Sequence, residues 1–385
     1  MPTTEILPSV EQVSKALECW IKNNNLNNSY IGSHTAQKNT EEEILDYSKI
    51  PTSMAIVLRK KEVTGIVYNK KTRDIHVYTK RKVYQKELDT EVLTRFYSCA
   101  LIYATGQINE IGKKIDNAQV ASSKIITSQT NTQVYTCGSS ISPGSDRSAG
   151  TLGALVKDSN GTLYGLTNNH VTGLSNHSEK GLPILAPGVL DVTPISTKPF
   201  TIGFHHATLS MNIGTSDNID TTTNTDAALF LIDNPDAVSS NQQDQFDTPV
   251  TVCDPLPGSV VEKVGRTTGH TVGVIIGRVL GTIAITYSVS QYDFSGLVFF
   301  DDIWVIHSAD ESSFSAGGDS GSLIVQTNED GTKSAVGLLF AGGSDSSSKS
   351  GDRTFFIPIS SILEKFQVSL VGGHNVPKES SDEQS

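Results

Sequence analysis

The sequence predicts a mainly β protein, a barrel or sandwich of many short strands preceded by a small α+β unit. Three observations carry this. From Gly150 onward short β-prone runs alternate with glycine-containing turns, no long helical pattern interrupts them until Ile359 to Phe366, and the first third instead mixes helical spacing with strand-like runs. At 385 residues the chain exceeds one average domain, so the expected division is an α+β domain at 1–130, a β domain at 131–372 and a charged, disordered tail at 373–385.

In chain order, Val10, Val13, Ala16, Leu17, Trp20 and Ile21 fall at helical spacing and predict an amphipathic packing helix over 9–23. The polar, Asn-rich stretch from Asn23 to Thr40 reads as a loop. Met54–Leu58, Thr64–Tyr68 and Asp74–Thr79 predict a three-stranded meander, and Glu87–Ala104 resumes helical spacing. Lys70, Lys71, Arg73, Lys80, Arg81, Lys82 and Lys86 lie beside Tyr68, Tyr78 and Tyr84 on that meander. Such a set could grip single-stranded nucleic acid, but solvated hairpin tips and a lysine-guarded edge strand explain it more simply. Gly112–Ser148 is polar and linker-like; beyond it strands are expected at 151–156, 162–166, 227–232, 260–264, 271–285, 298–307, 323–326, 334–340 and 354–357.

The net charge of −11 is unevenly spread: residues 1–130 hold 18 Lys+Arg against 14 Asp+Glu, leaving 12 against 27 for the rest. So acidic a second part argues against a nucleic-acid site there. The scattered Cys19, Cys99, Cys137 and Cys253 form no metal-binding or disulfide pattern. With no signal-like N-terminus and no apolar run of membrane-spanning length, the expectation is a soluble, cytoplasmic protein without a membrane partner.

Three segments carry chemistry. Ser315-Ala316-Gly317-Gly318-Asp319-Ser320-Gly321-Ser322-Leu323-Ile324-Val325 sets a serine among small residues at the mouth of an apolar strand. A nucleophilic serine needs a base for its proton and backbone N–H groups for the developing oxyanion. Tyr164–Val171 runs from a strand into a polar turn around His170, and Thr225–Ile232 places Asp226 at the entrance of an apolar strand. Alone, His170 reads as a hydrogen-bonded loop histidine and Asp226 as a strand-start turn residue.

Together, in the order His170, Asp226, Ser320 and in the segments Thr-Asn-Asn-His, Asp-Ala-Ala-Leu and Gly-Asp-Ser-Gly-Ser, they resemble the trypsin-like (chymotrypsin-fold) serine peptidases. The resemblance covers about residues 150–366. It implies two six-stranded antiparallel β-barrels joined near Pro255-Leu256-Pro257-Gly258, with a catalytic triad in the cleft between them. It further implies an oxyanion hole from the N–H groups of Gly318 and Ser320, and a substrate pocket around Phe314, Phe340, Ala341 and Gly342 that suits small or apolar side chains. The implied activity is serine endopeptidase, acting on protein or peptide substrates without a cofactor or metal. Two departures matter: Ser322 stands where a second glycine is common, and Ser148–Gly153 lacks the Ile-Val-Gly-Gly start of members activated by cleavage. Asp319 is therefore expected to pair with something other than a freed N-terminus. The added N-terminal unit and Lys263-Val264-Gly265-Arg266-Thr267-Thr268-Gly269 look similar to intracellular plant narrow-leaf-type and microbial trypsin-like proteins. The rival reading is a catalytically idle, peptidase-like scaffold or adaptor whose basic N-terminal domain recruits protein or nucleic acid. In either reading that domain could also drive homo-oligomerisation.

Overall fold

The computed structural model describes residues 7–26, 45–107, 123–194, 198–214 and 218–377. Helix α1 (Val10–Asn23) opens with a capping box: Ser9 Oγ accepts from the Gln12 N–H, and the Gln12 side chain accepts from the Ser9 N–H. Met54–Leu58 is not a strand but the middle of helix α2 (Thr52–Lys61). Met54, Ala55, Val57, Leu58 and Lys61 are buried while Ile56 is 49% exposed, a helical rather than alternating pattern that so short an apolar run does not disclose.

Strands β1 (Val63–Asn69) and β2 (Asp74–Thr79) form the expected hairpin. The helix expected over Glu87–Ala104 ends early: α3 (Gln85–Thr90) gives way to β3 (Arg95–Phe96) and β4 (Cys99–Thr105), and β4 runs parallel to β2. Pairing with β2 decides the conformation of Ala100–Thr105 over its local spacing.

The first half of the β region contains β5 (Ile125–Thr127), β6 (Gln133–Cys137), β7 (Ser140–Pro143), β8 (Gly150–Thr151), β9 (Ala154–Lys157) and β10 (Leu163–Thr167). It continues with β11 (Pro183–Ala186), β12 (Phe200–Thr208), β13 (Ala228–Ile232), β14 (Val238–Gln242) and β15 (Phe246–Asp247). The second half contains β16 (Val260–Gly265), β17 (Gly269–Val279), β18 (Ile283–Val289), β19 (Phe294–Phe300) and β20 (Trp304–Ser308). It ends with β21 (Leu323–Thr327), β22 (Lys333–Ser344), β23 (Asp352–Pro358), helix α4 (Ile359–Phe366) and β24 (Ser369–Leu370).

Of the two expected six-stranded barrels, one closes. Strands β16, β21, β22, β23, β20 and β17 pair in that order, and β17 returns to β16. Val261, Ile275, Ile306, Phe314, Ile324, Val336, Leu339 and Phe356 fill this barrel. The first half is a curled half-barrel, ordered β24-β9-β10-β13-β12-β11-β7-β8, whose ends do not meet. Its edge strand β8 is two residues long, and β14 pairs in parallel with β6 in a separate sheet instead of closing the curl.

Strand β1 pairs with β17 through Val67↔Val279 and Tyr68↔Arg278, so β1, β2, β4 and β3 extend the closed barrel's sheet. The β5–β6 pairing spans residue 130. Residues 373–377 lie against β14, where the His374 N–H donates to Ser240 Oγ; residues 378–385 of the expected tail and 112–122 of the expected linker lie outside the described residues.

Candidate active site

The sheet itself brings histidine and aspartate together. Strand β10 ends at Thr167 opposite Ala228 of β13, so the turn after β10 and the residues before β13 emerge at the same edge. There His170, in a single π-helical turn (Asn169–Gly173), donates its backbone N–H to Asp226 Oδ1 at 2.9 Å and places Nδ1 2.5 Å from Asp226 Oδ2. Asn168 Nδ2 holds the Asp226 carbonyl at 2.6 Å. Asp226 is fully buried.

Ser320 arrives from the closed barrel on the loop before β21. Thr151 of the half-barrel pins that loop, donating its N–H to the Ser320 carbonyl and its hydroxyl to the Gly318 carbonyl, each at 2.9 Å. Gly321 has φ +94°, and a Cβ there would meet Thr167 Oγ1 at 2.3 Å, so the residue after the serine presses on the very end of the His170-bearing strand. Gly318 has φ +98° and lies against Thr267 and Arg266, which also excludes a side chain. Among the described residues the N–H groups of Gly318 and Ser320 donate to no protein acceptor, whereas those of Asp319, Gly321 and Ser322 are all taken. The Ser320 hydroxyl makes no hydrogen bond to His170 among the bonds the described residues form.

Asp319, fully buried, has the substitute partner that the sequence required. Its Oδ1 accepts from the N–H groups of Thr267 (2.7 Å) and Thr268 (3.2 Å), its Oδ2 from Thr268 Oγ1 (2.7 Å) and the Ala316 N–H (2.9 Å). Lys263 Nζ, equally buried, stands 3.5 Å from Oδ2. Burial lowers the pKa of that ammonium group and Asp319 opposes the shift. Ser322 fits its turn by donating Oγ to the Asp319 carbonyl at 2.6 Å. Arg266 pairs with Asp191, so a buried ion pair joins the two halves behind Gly318.

Of the residues expected around a substrate pocket, Phe340, Ala341 and Gly342 are consecutive on β22, and Phe314 lies on the segment between β20 and β21. The Phe314 ring lies in the closed barrel's core, and Phe340 packs on Phe300 with centroids 5.1 Å apart in the cluster that also buries Ala341. Gly342 is level with Thr354 of β23, whose hydroxyl lies 2.6 Å from Ser315 Oγ. In the basic cluster, Tyr68 and Tyr78 are buried and Tyr84 alone of the three is exposed. Lys70 pairs with Glu11, Lys80 and Arg81 pair with Glu62, and Arg73 donates to the Pro8 carbonyl and Ser98 Oγ.

One site residue had no sequence signal. Tyr287, in the apolar run Ile283–Val289, donates its hydroxyl to Asp226 Oδ2 at 2.9 Å. A buried tyrosine needs a partner for its hydroxyl, but nothing local names a partner 61 residues away.

A closed six-strand barrel and a curled half-barrel, with a Gly-Asp-Ser-Gly loop on the first and a His–Asp pair on the second, make a chymotrypsin-like fold with a small N-terminal helix-and-strand part. More particularly, residues 245–354 match the family model of the Nal1 C-terminal domain, and the chain is similar to Protein NARROW LEAF 1 of Oryza sativa subsp. japonica. The two are 29% identical over 226 residues, which is 53% of this chain and 36% of that protein. Among solved structures, Thermobifida fusca Protease A is 21% identical, with 62% of this chain and 98% of that one covered at a TM-score of 0.39. A Nocardiopsis protease is 19% identical, with 61% and 97% covered at 0.38. A glutamic acid specific serine protease, described as using a histidine triad in substrate binding, is 17% identical, with 61% and 100% covered at 0.39.

Proposed function

We propose that the chain is a serine endopeptidase acting through Ser320, His170 and Asp226. The observation that carries this reading is the hydrogen-bonded His170–Asp226 pair beside a loop whose Gly318 and Ser320 N–H groups are uncommitted. Ser320 Oγ attacks the scissile carbonyl carbon while its proton passes to His170 Nε2. The oxyanion takes the two free N–H groups, each such donor being worth about 3 kcal/mol to the transition state. His170 returns the proton to the departing amine, the C–N bond breaks, and water, deprotonated by His170, then hydrolyses the acyl-enzyme. Asp226 stays ionised and keeps the imidazole in the tautomer that accepts at Nε2.

Strand β22 offers the peptide a place. Its pairing with β21 ends at Leu338, while its pairing with β23 continues to Ser344, so among the described residues the stretch from Phe340 to Gly343 has no strand partner on that edge, and a peptide could add there as a strand; beyond it the Gln107 N–H already reaches Ser344 Oγ. Because Phe314, Phe340, Ala341 and Gly342 include no acidic residue to pair with Lys or Arg, the residue before the cut bond is expected to be small or apolar. A peptide-library profile dominated by cuts after Lys or Arg refutes that preference. The Lys263–Asp319 pair favours an active loop formed without cleavage of the chain.

A fluorophosphonate probe tests the activity, with Ser320→Ala and His170→Ala as controls. Labelling of the parent but not of the controls is expected. A folded parent that never labels favours the idle scaffold, to which the missing Ser320–His170 hydrogen bond is also congenial.

A further inference from the structure

We infer that Tyr287 is a positioning residue for the triad, its hydroxyl fixing the Asp226 carboxylate so that Oδ2 stays aimed at His170 Nδ1. The effect on rate rests on the peptidase reading above; the hydrogen-bond geometry does not. Tyr287 lies on β18, which pairs with β19 from Ile283↔Phe300 to Val289↔Phe294. This hairpin leaves the closed barrel and is fastened to the half-barrel side. Ile213 bridges to Val298, Asn224 Nδ2 donates to the Phe299 carbonyl at 2.8 Å, and the His177 ring packs 5.0 Å from Tyr292 and 4.5 Å from Phe294. A hairpin tied down in this way delivers the Tyr287 hydroxyl to a fixed point.

That point matters because Asp226 is a buried carboxylate paired with no Lys or Arg among the described residues. Without a cation, its charge depends on hydrogen bonds to both oxygens. Oδ1 has the His170 N–H; Oδ2 has His170 Nδ1 and Tyr287. Without the hydroxyl, the sole partner of Oδ2 among these would be the imidazole, the group that must gain and lose a proton in each cycle. The nearby Lys365 reaches the Thr225 hydroxyl at 2.7 Å and the Thr222 carbonyl, so it does not replace the tyrosine. The Tyr287 ring also lies 5.6 Å from the His170 ring at 42°, restricting its tilt. Burial, reinforced by Asp226, raises the phenol well above its ordinary value, so it remains a donor through the neutral range.

Tyr287→Phe keeps the ring and deletes the donor. The fluorophosphonate labelling rate is expected to fall on the order of tenfold, the loss of one hydrogen bond to a charged group, with KM for a peptide substrate unchanged. The low-pH limb of the rate profile is expected to move upward, because an Oδ2 no longer shared with the phenol holds the imidazolium more tightly. The downfield Nδ1–H proton resonance of His170 should shift as well. A folded Tyr287→Phe protein with the parental rate, pH limb and resonance overturns the inference. If the parent itself never labels, the peptidase reading fails separately, and the resonance decides alone: a shift upholds the positioning role, and an unchanged signal ends it.

Discussion

Two buried carboxylates in this molecule each accept from a histidine ring and a tyrosine hydroxyl. Asp226 receives His170 Nδ1 at 2.5 Å and the Tyr287 hydroxyl at 2.9 Å; Asp345 receives His307 Nε2 and the Tyr78 hydroxyl, both at 2.7 Å. Both carboxylates are fully buried. Their surroundings separate them. The first lies where the two halves meet, beside a serine loop with two uncommitted N–H groups. The second joins β2 to the end of β22, where the Thr105 N–H donates to Ser346 Oγ at 2.8 Å and the Ser346 N–H returns a bond to the Thr105 carbonyl at 2.9 Å. There the His307 ring faces His76 edge-on at 6.5 Å, and the Arg353 guanidinium covers the Tyr78 ring at 3.7 Å. An Asp–His–Tyr set is therefore not a site in itself; its role follows from what the histidine can reach.

The comparison breaks most visibly under one substitution in each cluster. Asp226→Asn should reduce the labelling rate of Ser320 by about 10⁴, since the amide favours the wrong imidazole tautomer, a magnitude carried over from other triads. Its melting temperature should fall as well, because His170 and Tyr287 lose a charged acceptor in a buried setting. Asp345→Asn should cost a similar amount of stability, about 3 kcal/mol, because His307 and Tyr78 lose theirs, but should leave the labelling rate within tenfold of the parent. Amide exchange should then quicken first in β2 and β4. Denaturant melts and probe kinetics on both variants check the contrast. If Asp345→Asn silenced Ser320 as completely as Asp226→Asn, the two clusters could not be assigned separate roles.

Much of the first cluster was legible because its parts are local. Thr-Asn-Asn-His, Asp-Ala-Ala-Leu and Gly-Asp-Ser-Gly-Ser each join a strand end to a chemical group, and strand pairing brings the first two of those ends together. The need of Asp319 for a new partner was also legible, and the partner lies within a segment that already stood out: Lys263, Thr267 and Thr268 all hold its carboxylate. Tyr287 and the whole Asp345 cluster were not legible, since their contacts span 61 and up to 267 residues and reside in ordinary strand sequence. The N-terminal errors have a local cause. Met54–Leu58 is too short for its apolar pattern to separate helix from strand, and Ala100–Thr105 becomes a strand because β2 is there to pair with it. The pocket residues were placed by resemblance to a pattern of spacing, which does not report that the Phe314 ring turns into the barrel core.

The smallest contrast is in pH. Burial first, and then the neighbouring His307, push the His76 imidazole down to about 4. In the unfolded chain the same ring takes up its proton near pH 6.5. Below that value the unfolded state binds a proton that the native state refuses, so the His76 contribution is full above about pH 6.5 and falls until about pH 4, by roughly 3 kcal/mol; His205, also pushed down to about 4 by burial, adds to the same window. Asp345 acts in a lower window. Burial would raise its carboxyl, but hydrogen bonds from His307, Ser347 and Tyr78 outweigh that and hold it well below the usual range. Its contribution is present above about pH 4 and is lost only as the acid reaches the native carboxylate. His76→Gln removes its own share of the first window, leaves that of His205, and leaves the second window intact. Melts of parent and variant at pH 7, 5.5 and 4 should therefore diverge on the way to pH 4, with the variant losing less. Parallel curves over that span would mean that His76 is protonated in the native state, and the cluster joining β2 to β22 would then hold a charge its packing gives no reason to expect.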